Sequence, residues 1–274
     1  MELNALLAMQ FMLPSIPKVV ALLLSELDRE DVDLRKITQL IGTDPALTTS
    51  LLRIANSESF KLQGMIHSVS EALALLSLSQ VRSVVVAAAS GVSLRSLPGI
   101  HLQQFWRYSL QVAKLSRSLA GLVRQNQQSA YTCGLIHAVG ELAMHIGMPQ
   151  EVALLDREVD LLDLGRANVE RLSLGFCYAQ VGAGLARHWH FPQPMVDALE
   201  NQHAPFEHDV YEPLAGVIHL ATWRVRAKEA GLPERTLAVT FPGAVGEVLG
   251  LDIDMVLQQN PFDWLAQSSA HIPL

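Results

Sequence analysis

The chain has 274 residues, 50% of them hydrophobic and 17% charged, which is enough apolar material for a large core and excludes intrinsic disorder as the main state. Twenty Lys and Arg against 27 Asp and Glu leave a formal charge of −7, so no general attraction to nucleic-acid backbones or anionic membranes is expected. The two cysteines, Cys133 and Cys177, are too few for a disulfide framework or a Cys-rich zinc site and fit a reducing compartment.

Hydrophobic spacing is helical nearly throughout. Ile16, Val19, Val20, Leu23, Leu24 and Leu27 form one stripe behind Pro17, a good first helical residue. Leu34, Ile37, Leu40 and Ile41 form a second, with Asp33 as N-cap and Gly42 as its end. A third helix starts at Asp44-Pro45, where Asp44 can accept from free N–H groups, and turns Leu47, Leu51, Ile54 and Ala55 inward before Asn56 caps it. Ser68-Val69-Ser70-Glu71 has capping-box spacing and opens a helix carrying Ala72, Leu75 and Leu76. Residues 81–92 are apolar on most sides, and Ala87-Ala88-Ala89 favour a buried helix over a strand. The uncharged run 83–94 falls short of the ~20 residues a bilayer requires, and Glu2 stands where a secretory signal would carry Lys or Arg. A soluble cytoplasmic protein is expected.

Leu97-Pro98-Gly99 is the strongest internal break. Beyond it Phe105, Tyr108, Val112, Leu115, Leu119 and Leu122 mark a long amphipathic helix, followed by a polar QNQQS loop. Further helices are expected at about 129–146, 149–156, 168–190, 194–203 and 212–230, then a short one behind Pro242 and another around 252–258. No strand alternation or long repeat competes, so the expected fold class is all-α.

Ten histidines invite a search for metal or acid–base chemistry. His188 and His190, two apart, point to different sides of a helix. His67, His101, His208 and His271 fall in expected loops or ends, and His145 reads as a structural histidine on a short apolar helix. Cys133 lies four residues before His137, which allows a thiol–imidazole pair, although a buried free cysteine is the ordinary case. No GxGxxG, Walker loop, GxSxG or HExxH occurs. ITQLIGTDPALTTSLLRIAN has a helix-turn-helix outline, but its second helix begins Asp44-Pro45-Ala46-Leu47, with Arg53 its only basic residue, which suits packing better than base reading.

LPSIPKVVALLLSEL, ITQLIGTDPALTTSLLRIANS, HSVSEALALLSLSQVRSVVVAAA, FWRYSLQVAKLSRSLA, AYTCGLIHAVGELA, LGFCYAQVGAGLARHWHFPQPMVDALENQHAP and GVIHLATW follow one another over about residues 12–228. In that order they resemble the HDOD output domains of bacterial signalling proteins, relatives of the HD metal-dependent phosphohydrolases. The resemblance implies an N-terminal helical lobe (1–97), an HD-like helical lobe (98–228) and a C-terminal helical appendage (229–274). In catalytic HD proteins it would imply histidine and aspartate ligands around one or two metal ions that activate water. Here the expected positions hold Tyr108, His137 followed by Ala138, Tyr178, Gln202 beside His203, and Thr222. Ala138 cannot ligate and Thr222 removes a carboxylate, so His137 and His203 are left, too few for a catalytic site. The expectation is a filled former pocket of Tyr108, His137, Ala138, Tyr178, Gln202, His203 and Thr222, with no metal and no cofactor.

The function implied is a non-catalytic regulatory or scaffolding module that acts through protein partners in a signalling pathway, with no nucleic acid or membrane and a homodimer among the forms its contacts could take. The alternatives are a nucleotide sensor using the remnant pocket and a metal-dependent phosphohydrolase. The apolar C-terminal segment, including Phe241, Val245, Val248, Leu249, Leu251, Phe262, Trp264 and Leu265, must be covered either by its own chain or by another.

Overall fold

A computed structural model describes residues 1–91, 97–207 and 211–259, and over these the fold is all-α. A five-residue helix α1 (Leu3–Leu7) precedes α2 (Pro17–Leu27), α3 (Leu34–Ile41), α4 (Pro45–Ala55), α5 (Val69–Leu75) and α6 (Leu78–Gly91). Then come α7 (Leu102–Leu122), α8 (Gln127–Ile136), α9 (Val139–Gly147), α10 (Pro149–Leu155), α11 (Arg166–Leu174), α12 (Tyr178–His188), α13 (Gln193–Asn201) and α14 (Pro213–Glu229). Three short helices, α15 (Glu234–Thr240), α16 (Gly243–Leu249) and α17 (Ile253–Gln258), complete the described chain. No helix among the described residues is long and apolar enough to cross a membrane.

α3, α4 and α5 begin where side-chain acceptors meet free N–H groups. Asp33 Oδ1 accepts from the Arg35 and Lys36 amides. Asp44, fully buried, does more than cap α4: Oδ1 accepts from Leu47 N at 2.9 Å, and Oδ2 accepts from Ile16 N at 2.6 Å, tying the start of α4 to the start of α2. Burial raises its carboxyl to about 6 against these bonds, which favour the ionised form. Ser68 Oγ accepts from Glu71 N, but Glu71 Oε2 accepts from His67 N–H, one residue before the position a capping box would use.

Two expected helices are each broken. The one at 129–146 divides at His137-Ala138, where Ala138 leaves helical geometry with φ −105° and ψ 13°. The one at 168–190 divides at Gly175, which ends α11 with φ +82°, a conformation costly for residues with a Cβ. Apolar residues continue across the first break on a shared buried side, whereas α11 turns Arg166, Ala167 and Glu170 inward and leaves Leu172 exposed. α1 and α15 were not expected, being too short to show a period. His208, His271, Phe262, Trp264 and Leu265, and position 92 of the expected 81–92 helix, lie outside the described residues.

In the expected second lobe α7 is the axis, packed against α8 and α14, while α12 packs against α9 and α13. In the expected first lobe α2 lies on α6, and α4 touches α5, α6 and also α8. One continuous hydrophobic core thus runs from Leu13 to Val256 across the expected boundary, and the lobes are named only as stretches of the chain. Leu47, Leu51, Leu52 and Ala55 are buried in it, which makes α4 a packing helix. The C-terminal helices close on their own chain: α16 packs on α14, Val245 and Leu251 are buried, and Phe241 meets Trp223 edge to face at 5.3 Å.

Candidate functional site

Tyr108 faces inward from α7, His137 sits at the α8–α9 break, Tyr178 opens α12, and α14 carries Thr222 and, one turn on, Arg226. α9 approaches α12 so closely that a Cβ on Gly140 would overlap the Tyr178 carbonyl oxygen. That approach brings the His137 break toward the tyrosine.

The hydrogen bonds here fix where the protons are. His137 Nδ1 lies 2.7 Å from the Gly134 carbonyl oxygen, which can only accept, so Nδ1 carries a proton. Burial lowers the pKa of His137 to about 3; the bond to Gly134 opposes this and the Arg226 charge adds to it, so the ring is neutral. Nε2 is therefore an acceptor, and the Tyr108 hydroxyl donates to it at 3.0 Å. The Tyr108 oxygen in turn accepts from Arg226 Nε at 2.9 Å. Arg226 Nη1 donates to the Asp163 carbonyl at 2.9 Å and Nη2 to the Tyr178 hydroxyl at 3.4 Å. The guanidinium carbon stands 5.7 Å from the Tyr108 ring centre and 5.6 Å from that of Tyr178, within cation–π range of both. Burial works against the charge on Arg226, but the tyrosine oxygens and Glu141 outweigh it, and the group stays a cation.

The remaining expected positions surround this chain or lie apart from it. Ala138, buried, holds the N-cap position of α9. Gln202 Nε2 donates to the His137 and Leu199 carbonyls, which fixes the break from the α13 side. Thr222 Oγ1 is buried beside the Tyr108 hydroxyl, outside good hydrogen-bond geometry. His203 is not part of the group: its Nε2 lies 2.8 Å from Asn168 Oδ1, and burial lowers its pKa to about 4.

Behind the tyrosines lies a second buried polar group. Arg166, fully buried, pairs through Nε with Glu170 Oε1 at 2.7 Å and through Nη1 with Asp156 Oδ1 at 2.9 Å, and Glu141 Oε1 is 3.6 Å from its Nε. Glu170 Oε2 also accepts from Tyr178 N, which anchors the start of α12. Burial, and next the charge on Glu170, push the Glu141 carboxyl well above the usual range despite Arg166. His145 Nδ1 donates to the Glu141 carbonyl, and Nε2 lies 3.1 Å from Asp156 Oδ2; two acceptors facing each other require a proton between them.

Sequence reasoning named neither arginine. For Arg226 a signal was present, since it lies four residues after Thr222 on the same face of a helix that is otherwise apolar there. Glu141 with His145 and Arg166 with Glu170 also have i, i+4 spacing, but that spacing is equally common on solvated faces.

These residues do not fit a metal ion. Ala138 offers a methyl group, Thr222 a lone hydroxyl, and Tyr108 a neutral phenol whose oxygen already accepts from a cation. The Nε2 lone pair of His137 is taken by the Tyr108 proton. Among the described residues no three His, Cys, Asp or Glu side chains converge in a way that could hold a metal.

The HDOD domain family model matches residues 13–205, and the chain belongs to that family. An uncharacterized protein of Treponema pallidum (strain Nichols) is 24% identical over 224 residues, 81% of this chain and 44% of the relative. YuxH, an uncharacterized protein of Bacillus subtilis (strain 168), is 25% identical over 142 residues, 52% of this chain and 33% of its own. The chain thus spans less than half the length of these curated relatives. Among solved structures, the MmoQ response regulator of Methylococcus capsulatus str. Bath is 26% identical with a TM-score of 0.70, over 90% of this chain and 96% of that one. A protein of Shewanella amazonensis SB2B, provisionally named a phosphohydrolase, is 28% identical with a TM-score of 0.51, over 93% and 91%. The fold is that of the HDOD and HD-type helical proteins, and its relatives include signalling proteins.

Proposed function

We propose that this chain is a non-catalytic HDOD module that works in signal transduction through contacts with protein partners. The observation that carries this reading is the guanidinium of Arg226 between Tyr108 and Tyr178. Metal-assisted phosphoester hydrolysis needs carboxylate and imidazole donors around a cation and an open position for water. Here a protein cation takes the centre, a tyrosine proton occupies the one nearby imidazole lone pair, and aromatic rings close over both. The same packing argues against a nucleotide lodging between these residues. Likeness to a response regulator favours a signalling role, and the buried Cys133, whose thiol burial raises, suits a reducing cytoplasmic setting.

The test is metal content with turnover. Purified protein equilibrated with Mn²⁺, Fe²⁺, Zn²⁺ or Ni²⁺ and desalted is expected to retain no stoichiometric metal and to leave a generic aryl phosphodiester intact. Near-equimolar metal together with hydrolysis that His137→Ala abolishes would overturn the reading.

A further inference from the structure

The first residues of the chain sit far from the helices that follow them in sequence. α1 packs on α9 and α12 of the second lobe, where Leu6 is fully buried and Leu3 and Leu7 are half-buried on the same side, while Asn4 and Ala5 face solvent. Leu6 belongs to a separate small core with Ala143, Met144, Met148, Phe176, Val181 and Leu185. The seat is shaped for leucine: a Cβ on Gly147 would overlap Leu6 Cδ1, and one on Gly184 would lie 2.5 Å from Leu7 Cδ1. Glu151 stands at the N-terminal end of α1, 3.3 Å from the Met1 nitrogen, where it complements the positive end of a docked helix.

The attachment is a short one. A five-residue helix does not persist alone, and Glu2 provides no side-chain cap to α1. Among the described residues no backbone–backbone hydrogen bond ties residues 10–15 to the helices. The tether that carries α1 is exposed at Ala8, Met9, Gln10 and Met12, half-buried at Phe11, which packs against both cores, and buried from Leu13 to Ile16.

We propose that the seam between α9 and α12 at Gly147 and Gly184 is a docking groove for a partner's short amphipathic helix with leucines at i, i+3 and i+4, which Leu3–Leu7 fills in cis. The occupant's chemistry is read from the segment seated there, and the mode is a helix laid in an apolar groove. The proposal rests on the reading of the chain as a protein-contact module and gives that reading a surface. Release of the tether would expose the groove, so the segment acts as a built-in competitor.

The test uses the full chain and a fluorescein-labelled peptide of residues 1–12. In the Leu6→Asp variant the tethered helix no longer seats, and fluorescence anisotropy is expected to show peptide binding at least tenfold tighter than to the unsubstituted protein. Adding Gly184→Leu should abolish it, as should Leu6→Asp in the peptide. A folded Leu6→Asp protein, by circular dichroism, that does not bind the peptide would overturn the proposal. Hydrogen exchange on the unsubstituted protein covers the case in which the variant does not fold. The amides of Ala8 and Met9 are expected to exchange at least 100-fold faster than those in the middle of α7, and equal protection would overturn independent release. Metal binding with turnover would sink the non-catalytic reading while leaving the peptide result as it stands, so the two failures are distinguishable.

Discussion

In the N-terminal lobe, buried Asp44, Asn56 and Ser68 bond to main-chain groups: Asp44 to the amides of Leu47 and Ile16, Asn56 to the Leu52 and Ile66 carbonyls and the Ile66 amide, Ser68 to the Glu71 amide. In the second lobe, Arg166, Glu170, Asp156 and His145, and likewise His137, Tyr108, Arg226 and Tyr178, bond mainly to one another's side chains. The first pattern closes helix ends and turns and would suit almost any helical bundle. The second is a buried polar cluster whose members are brought together from distant parts of the chain, and it still leaves Arg166 Nη2 and Gln202 Oε1 without a hydrogen-bond partner.

The largest test of that contrast is Arg166→Met, which leaves three carboxyl groups without their cation. It is expected to cost about 3–5 kcal/mol in urea unfolding, since removing one partner strands buried charge. A cost near zero would mean that the carboxyls simply take up protons, and the network would then hold little. In the first lobe, Asp44→Ala orphans two buried amides and should cost about 2–3 kcal/mol, with Asp44→Asn recovering part of it through one retained acceptor.

His137 and Asp44 respond to acid with opposite sign. His137 has a folded pKa of about 3, below its ordinary 6.5, so the unfolded chain binds the extra proton and stability falls as pH drops from 6.5 toward 3. His137→Gln should gain on the unsubstituted protein by about 1.4 kcal/mol for each pH unit below 6.5. Asp44 has a folded pKa of about 6 above its ordinary 3.8, so the folded chain binds the proton more tightly and stability rises as pH drops from 6 to about 4. Asp44→Asn should lose that rise. Denaturant midpoints between pH 7 and 4 read both, and equal signs for the two variants would break the comparison.

The smallest effect expected is at Glu26, which accepts from Lys36 Nζ at 2.6 Å and from Asp33 N at 3.1 Å. The Lys36 bond, and next the Asp33 amide, lower its carboxyl to about 2 from an ordinary 4.5. Its contribution is present above pH 4.5 and lost as pH falls toward 2, so Glu26→Gln should lower stability at neutral pH by the least of these effects and flatten the acid limb below pH 4.5.

The helices of the N-terminal lobe were legible because their causes are local. Asp33, Asp44 and Ser68 each act on amides two or three residues away, and stripes such as Val19, Val20, Leu23 and Leu27 repeat within a few turns. The break at His137-Ala138 is hidden because apolar residues carry on through it, that at Gly175 because Leu172 and Leu174 read as helix-core positions although Leu172 is exposed, and the seating of α1 because five residues show no period.

By itself the sequence determined the all-α class, the family and the missing ligands, since a methyl at 138 and a hydroxyl at 222 cannot become carboxylates in any fold. That Arg226 lies between Tyr108 and Tyr178 was decided by tertiary structure alone. Its partners lie 118, 63 and 48 residues away, at Tyr108, Asp163 and Tyr178, on two other helices and a loop. A buried guanidinium is tolerated only where several acceptors converge on it, and convergence over such separations is a property of packing, which no local pattern records.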